Sequence, residues 1–268
     1  MATVVNLGSV PRRGDHLAGV IEVRGILGVA VAELGIRIVG GTWAPGEAIP
    51  KEADLCDAMG VSRSVIREAF RILGAKGLIR SRTSDGTRVL ARSEWRLLDP
   101  DVMDWRIKAG DTVALLNDLM TVRLVLEPGV VHTATLLAND AARERIRRAW
   151  AIKEHVYRTP DPDYAERRRR FIFADLEFHR AFLAAVESDL LAQLFAVIEA
   201  ALGLLLDMQM SARGYTTQMI GMEESQELHE AVFLAFERRD PEAAEAAMRR
   251  LIAQAIRDAQ AGFQQRGR

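Results

Sequence analysis

Three arginines, Arg63, Arg67 and Arg71, follow one another at four-residue spacing in "SRSVIREAFRIL". This spacing places side chains along one side of an α-helix. The apolar residues of the segment fall on the opposite side: Val65, Ile66, Ala69, Phe70 and Leu73. A guanidinium can bond a guanine edge bidentately or hold a phosphate. The pattern predicts a helix that packs on one side and presents a basic side either to a nucleic acid or to solvent alone.

A second group of residues has the chemistry of a metal site. Asp175 and His179 in "DLEFHRAF" are four residues apart, so a carboxylate and an imidazole share one helix face and can hold one ion. His229 lies on a later predicted helix, and facing helices of a bundle bring such ligands together. Spacing alone fits equally well a surface hydrogen-bonded pair and a core histidine without a ligand.

The elements around the arginines predict a winged helix-turn-helix. Helical patterns at 17–39 and 51–59 precede the arginine helix, which Ser62 caps and which ends near residues 74–76. The short strands "GLIRS" and "TRVLA" follow, joined by the tight turn "TSDG". The second helix of such a pair lies in the DNA major groove. Ser62 and Ser64 can donate to phosphates, and a wing containing Thr83, Ser84 and Gly86 has the size to lie along an adjacent groove.

The rest of the chain predicts a helical bundle, so the fold class is mostly α. We predict a winged helix-turn-helix domain at 16–92, a linker at 93–110 with no clean period, and an all-α domain at 111–264. The predicted helices of that domain are 111–138 (with a break or kink at Pro128), 140–157, 163–186, 189–212, 216–238 and 241–264.

Composition limits the class of protein. Apolar residues make up 49% and charged residues 27% of the 268, which excludes a disordered chain. The apolar runs are too short to cross a bilayer, and the single Cys56 fits a reducing compartment, so we expect a cytoplasmic protein without a membrane partner. Residues 1–92 carry 13 basic against 9 acidic residues, and the remainder 23 against 28. This balance indicates that only the front of the chain meets a polyanion.

The segment 45–89 resembles the GntR superfamily of bacterial regulators through "PGEAIP", "EADLCDAMGVSRSVIREAFRILGAKGLI" and "DGTRV". The resemblance implies that Arg63 and Arg67 contact DNA and that the wing between Thr83 and Gly86 assists. Members of the superfamily often carry arginine where this chain has Ala53, so one contact is either missing or supplied by Lys51.

The back domain resembles the FadR-type ligand-binding domain called FCD. The matching pieces are "VRLVLEP" at 122–128, "ADLEFHRAF" at 174–182 and "ELHEAVFLAFERRDPEAAEAAMRRLI" at 227–252. The resemblance implies a divalent metal, such as zinc, nickel or manganese, held by Asp175, His179 and His229. The family's fourth ligand position is Leu251, which cannot ligate. The ion is therefore either left open to water and an effector's carboxylate or hydroxyl, or not bound at all.

The effector implied by the resemblance is a small organic acid. Arg123 matches the arginine of the family's "RxxLE" motif, and the expected effector-binding residues are Arg123, Glu127, His179 and His229. An ion pair between Arg123 and Glu127 is the alternative role for that arginine. The stretch "WRLLDPDVMDW" at 95–105 resembles regulators of galactonate and related sugar-acid catabolism, which implies a sugar acid. A dicarboxylate or an acyl ligand is the alternative.

Together these features predict an effector-controlled repressor, with a homodimer presenting two recognition helices to a palindromic double-stranded operator. The linker at 93–110 would transmit the effector's signal. A metal-dependent hydrolase is the alternative from another class, since an open metal site can activate water. No nucleophile or base is visible in the sequence beyond the metal ligands, so we predict that the chain is not an enzyme.

Overall fold

The computed structural model describes residues 25–82, 85–159, 162–212 and 222–264, with the backbone alone at 204–212, 222 and 259–264. Of these, the residues up to Leu115 form one compact unit and those from Leu116 onward form a second. Helices dominate both units, and the one small sheet of the described residues has two strands. The predicted fold class, mostly α with a small hairpin, is confirmed.

The first unit has the element order of a winged helix-turn-helix. Its elements are α1 (Gly25–Val39), α2 (Glu52–Met59), α3 (Arg63–Ala75), β1 (Ile79–Arg82), β2 (Gly86–Val89), a 3-10 turn (Arg92–Glu94) and α4 (Pro100–Lys108). Of the helix predicted at 17–39, residues 17–24 lie outside the described part of the chain. The helices and strands predicted between residues 51 and 91 are present.

The arginine helix α3 forms where the sequence predicts it. The Ser62 side chain accepts a hydrogen bond from the Val65 amide and so satisfies one of the free donors at the helix start. Ile66, Ala69 and Leu73 are fully buried on the opposite side of the helix from the arginines. They join a core built from α1, β1 and β2, which holds the helix in a fixed orientation while its basic side stays open.

The hairpin after α3 is antiparallel, with Ile79 opposite Val89 and Arg82 opposite Gly86. Gly86 has a φ of 74°, in the left-handed region that glycine adopts without strain. The preceding segment around Ala48 bridges Arg88 of β2, so the "PGEAIP" turn supports the base of the wing.

The stretch at 93–110 contains a helix that the sequence analysis missed. Asp99 caps α4 by accepting from the amides of the next turn, and Pro100 occupies the first helical position. Trp105 packs onto α1 at Gly35, where a Cβ would lie 2.3 Å from the indole ring. Lys76 bonds Asp99 at 2.7 Å. Because of these contacts α4 belongs to the first unit, and the predicted limits of the linker remain a prediction.

The second unit is a bundle of six described helices, as predicted. They are α5 (Thr112–Leu137, whose first turn lies in the first unit), α6 (Asp140–Arg158), α7 (Tyr164–Ala185), α8 (Asp189–Ala212), α9 (Met222–Glu237) and α10 (Pro241–Gln264). The helix α5 continues through Pro128 without a break. Of the helix predicted at 216–238, residues 216–221 lie outside the described chain. None of the described helices combines the length and hydrophobicity that crossing a membrane requires.

An aromatic core fixes the positions of the bundle's histidines. Phe178 of α7 lies edge-on to Phe182 and to Trp150, with ring centroids 5.2 and 5.9 Å apart. The rings of His179 and His229 also lie edge-on to Phe178. Interiors of this kind are close-packed, so the two imidazoles have little freedom to rotate.

Candidate DNA interface and charged cluster

The basic side of α3 is exposed, as a DNA-reading surface must be. Arg63, Arg67 and Arg71 all lie at the surface of the first unit. Arg67 donates to Glu52 of α2 at 2.9 Å, and Arg71 donates to Glu68 one turn earlier at 2.9 Å. The side chains of both arginines keep about 70% of their surface exposed (70% and 71%). Exposed ion pairs are worth about 0–1 kcal/mol. These guanidiniums can therefore exchange a carboxylate for a phosphate at little cost.

The N-terminus of α3 is unusually positive. The first turn of α3 contains no acidic residue and begins with Arg63, whereas α2 begins with Glu52 and Asp54. A helix N-terminus carries about half a positive charge, so an arginine there is unfavourable in isolation. The same combination of free amides and a cation suits an anion such as a DNA phosphate. Placed at the start of the recognition helix, Arg63 is suited to that role.

Four of the other predicted DNA contacts, Lys51, Ser62, Ser64 and Gly86, are exposed on the first unit. Lys51 is exposed at the residue that precedes α2, next to the Glu52 that bonds Arg67. The hydroxyls of Ser62 and Ser64 lie 2.8 Å apart on the exposed first turn. Gly86 begins β2 at the tip of the wing, while Thr83 lies outside the described residues.

In the second unit, the three predicted metal ligands come together. The Nε2 atoms of His179 and His229 are 3.3 Å apart, and Oδ1 of Asp175 lies 3.0 Å from Nε2 of His229. The second Asp175 oxygen is 3.8 Å from Nε2 of His179. Both histidines are buried, and the side chain of Asp175 keeps 14% of its surface exposed. The helices α7 and α9 thus converge three donor atoms on one point.

The Nδ1 atoms of both histidines, which point away from this site, face oxygens that can only accept a hydrogen bond. Nδ1 of His229 lies 2.6 Å from the backbone oxygen of Ser225. Nδ1 of His179 lies 2.6 Å from Oε2 of Glu127, close enough for an ion pair although poorly aligned for a hydrogen bond. A proton on each Nδ1 leaves both Nε2 atoms as bare acceptors facing each other and Asp175. Three converging acceptors suit a shared cation, which can be a proton or a metal ion.

These residues fit a divalent metal in type and spacing. A tetrahedral ion with ligands about 2.1 Å away has donors roughly 3.4 Å apart, close to the distances found here. A carboxylate or carbonyl behind each imidazole is the usual outer support of a metal-binding histidine. Leu251, at the family's fourth ligand position, is buried on α10 and has no donor atom. The arrangement offers three protein ligands.

Arg123 has its anionic partner within the chain. Its Nε lies 2.5 Å from one Glu127 oxygen and its Nη2 lies 3.4 Å from the other, and both residues are buried on α5. The alternative role considered for Arg123, an ion pair with Glu127, is thus present. Glu127 also faces His179, so the pair is connected to the metal ligands. An effector that reaches Arg123 would join this existing network.

Two buried charged residues beside this site were not predicted from the sequence. Lys153 of α6 is fully buried and donates to Oδ1 of Asp175 at 2.8 Å. Glu199 of α8 is buried, accepts from Arg180 at 2.9 Å, and leaves its other oxygen without a hydrogen-bond partner. We call the eight residues of this region the charged cluster: Arg123, Glu127, Lys153, Asp175, His179, Arg180, Glu199 and His229.

Both missed residues interrupt the apolar stripe of their helix, and this could have revealed them. Lys153 follows Ile146 and Trp150 at helical intervals, and Glu199 follows Phe195 in the same way. A lysine or glutamate is almost never fully buried unless it is paired. A charged residue at a core position of a helix therefore predicts a buried partner of opposite charge.

Burial and charge shift the titrations in this cluster in opposite directions. Burial acts to raise the pKa of Glu127, but Arg123 and His179 outweigh it and hold that pKa at about 2. Burial likewise opposes ionisation of Asp175, yet Lys153 and His229 keep its pKa well below the usual value. Burial, assisted by Lys153, lowers the pKa of His229 to about 4. Burial raises the pKa of Glu199 despite its partner Arg180.

Comparison with known proteins identifies the family of each part of the chain. Residues 28–89 match the gntR family of bacterial regulatory proteins, and residues 118–254 match the FCD domain. The galactonate operon transcriptional repressor of Escherichia coli is 32% identical over 227 residues, which are 85% of this chain and 93% of that protein. The Uxu operon transcriptional regulator of the same organism is 28% identical over 153 residues, 57% of this chain and 55% of that protein.

Among solved structures, a GntR family regulator from Pseudomonas syringae pv. tomato covers 90% of this chain and 87% of its own, with 19% identity and a TM-score of 0.47. The family matches show that the chain belongs to the GntR family of transcriptional regulators with an FCD domain. It is a DNA-binding transcriptional regulator, and its relatives are regulators and not enzymes. The resemblance predicted from the motifs is confirmed.

Proposed function

We propose that this protein is a cytoplasmic, homodimeric repressor whose hold on its operator is controlled by a sugar acid bound in the second unit. The observation that carries the proposal is the exposed basic side of α3. Arg63 and Arg67 would read or clamp the major groove, with Ser62 and Ser64 on phosphates. Lys51 and the wing from Thr83 to Gly86 would add contacts to the flanking backbone.

The charged cluster is the proposed effector site. Its three carboxylates each have a cationic partner, in the pairs Arg123–Glu127, Lys153–Asp175 and Arg180–Glu199. The carboxylate of an organic acid entering this cluster would pair with one of these cations and replace the protein carboxylate there. The free oxygen of Glu199 is an acceptor for a hydroxyl group, which a sugar acid offers and a plain dicarboxylate does not. The name of the galactonate operon repressor among the relatives supports an effector of this class.

A divalent ion at this site would be held by Asp175, His179 and His229. Zinc, nickel and manganese are the candidate ions for this donor set. A bound ion would supply a Lewis-acidic centre, and Leu251 has no donor atom to offer it. His179 and His229 would present their Nε2 atoms to it, fixed by Glu127 and Ser225. A divalent ion would add positive charge to this buried site, and an anionic effector would help to balance it.

Effector control requires different affinities in the two functional states. The acid must bind the DNA-competent and DNA-incompetent forms unequally, or it shifts nothing. We propose that binding weakens operator affinity and that the stretch after α4 carries the change. Trp105 and Lys76 tie α4 to the DNA-binding unit, so this helix would move with that unit.

The decisive experiment measures operator binding by a double variant of α3. We expect Arg63→Ala/Arg67→Ala to lower affinity at least 100-fold for a duplex that the wild type selects from random sequence. The slope of log affinity against log salt should fall by about 0.9 for each lost phosphate contact. Arg145→Ala/Arg148→Ala, on exposed positions of α6, removes the same charge and should change affinity less than threefold. Equal affinity of wild type and the α3 variant would refute the proposed interface.

The effector class is tested by thermal shift and by release of the operator duplex. Hexonates, dicarboxylates and acyl compounds are compared at equal concentration, with and without a chelator. Stabilisation and release by a hexonate alone support a sugar acid. Release by a dicarboxylate or an acyl compound instead would assign the alternative effector.

A further inference from the structure

Lys153 is a fully buried lysine whose ammonium lies between an aromatic ring and a carboxylate. Its side chain has no exposed surface, and its Nζ lies 4.3 Å from the centre of the Phe171 ring. Its ammonium donates a hydrogen bond to Oδ1 of Asp175 at 2.8 Å. Burying an ammonium is costly unless it is paired, so the lysine depends on that carboxylate.

The same carboxylate is the anionic member of the metal-ligand set. Oδ1 of Asp175 lies 2.8 Å from Lys153 and 3.0 Å from Nε2 of His229. A divalent ion bound between Asp175 and the two histidines would therefore share its acidic ligand with an ammonium. Like charges that share one acceptor in a buried site repel strongly, since little water screens them.

We propose that Lys153 is a built-in competitor of the metal site. Its ammonium neutralises Asp175 and repels a divalent cation, so that zinc binds the native chain at least tenfold more weakly than a chain with a neutral side chain at 153. The inference rests on the metal site named in the proposed function. Together with Leu251 in place of a fourth donor, Lys153 gives this regulator a weak metal site in which the ammonium supplies part of the ion's charge.

The competition has a consequence for the effector. An ammonium released from Asp175 by a metal ion has to find another anion inside the bundle, and the carboxylate of an organic acid is of the right charge. In the absence of metal, the ammonium of Lys153 is still a cation with which the effector's carboxylate can form an ion pair. Binding of the acid is therefore expected to tolerate a chelator in the native chain.

The test is a zinc titration of the full-length protein by competition with a chromophoric chelator. We expect Lys153→Met to raise zinc affinity at least tenfold, and Lys153→Met/Leu251→His to raise it further by restoring a fourth donor. Lys153→Gln is a second neutral variant whose amide can still donate to Asp175, and it guards against misfolding of the first. Lys108→Met removes an exposed lysine paired with Asp104 and should leave zinc affinity unchanged within twofold.

Two further measurements separate the outcomes. Adding His229→Ala to Lys153→Met should abolish the gain, which shows that zinc binds at this site. Zinc affinity that is equal to or below the wild-type value in both neutral variants, with operator binding intact, would overturn the competitor role of Lys153. Such a result would leave the DNA-binding function standing, because operator affinity is measured on the same samples and depends on the first unit.

Discussion

The basic side of α3 and the charged cluster of the bundle use the same residue types under opposite conditions. On α3, Arg67 and Arg71 pair with glutamates in contact with water, and their side chains stay about 70% exposed (70% and 71%). In the bundle, Arg123 and Lys153 pair with carboxylates whose side chains keep only 6% and 14% of their surface exposed. Exposed pairs are worth little and exchange readily, whereas a buried pair is costly to break. Burial therefore separates charges that exchange readily with a partner from charges that exchange only at a cost in folding free energy.

The largest effect expected from this comparison is on stability. Glu127→Ala leaves Arg123 buried without its carboxylate, and breaking such a pair costs about 3–5 kcal/mol. Glu68→Ala removes the partner of the exposed Arg71 and should cost less than about 1 kcal/mol. Urea titrations read by hydrogen exchange of peptides from α5 and α3 measure the two changes. Similar losses in both variants would contradict the distinction drawn between the two regions.

The difference between the regions also explains what the sequence could predict. The exposed arginines were found because helical spacing separates them from an apolar side, and no knowledge of neighbouring elements is needed. Asp175, His179 and His229 were found through a family resemblance, since spacing alone left their role open. The sequence marks Lys153 and Glu199 only as charged residues at core positions of their helices. Their partners come from another helix, and only the three-dimensional arrangement identifies those partners.

The helix α4 was missed for a local reason. Asp99-Pro100 is the same start signal as Asp240-Pro241, which correctly predicted the beginning of α10. The nine residues of α4 are too few to show a period, and their tryptophan and acidic residues read as irregular. The packing of Trp105 against Gly35, which stabilises this helix, joins residues 70 positions apart and leaves no trace in local sequence.

An intermediate effect is expected from pH. Burial first, and then Lys153, lowers the folded-state pKa of His229 to about 4. The unfolded chain, with an ordinary histidine pKa of 6.5, therefore binds more protons between pH 6.5 and 4. Stability is full above pH 6.5 and falls as the pH decreases to 4, by roughly 3 kcal/mol for this shift. Hydrogen exchange of peptides from α7 and α9, corrected for intrinsic rates, follows the loss.

A variant and a second pH window provide the controls. His229→Asn should flatten the dependence between pH 6.5 and 4, and a wild-type slope that survives in this variant would contradict the assignment. Glu127 affects stability at lower pH, because its pKa is about 2 in the folded chain and 4.5 in the unfolded chain. Its contribution is present above pH 4.5 and is lost as the pH falls from 4.5 through 2. Arg71 also lowers the pKa of Glu68, but this exposed pair is worth little, so α3 should lose only a small contribution as the pH falls below 4.5.

The smallest effect expected is on DNA affinity, and it concerns the exposed pair between Arg67 and Glu52. Glu52→Gln releases Arg67 from its 2.9 Å bond and removes a negative charge beside the proposed phosphate contacts. An exposed pair is worth at most about 1 kcal/mol, so operator affinity should rise by no more than about fivefold. The gain should shrink as salt screens the removed charge.

Glu68→Gln is the matched comparison, because it frees Arg71 in the next turn of the same helix. The N-terminal part of a recognition helix reaches base edges, so freeing Arg67 should matter more than freeing Arg71 further along the helix. Fluorescence anisotropy with the selected duplex at two salt concentrations resolves these differences. A larger gain from Glu68→Gln than from Glu52→Gln would move the centre of the interface toward the C-terminal half of α3, and would require the wing to lie differently on the DNA.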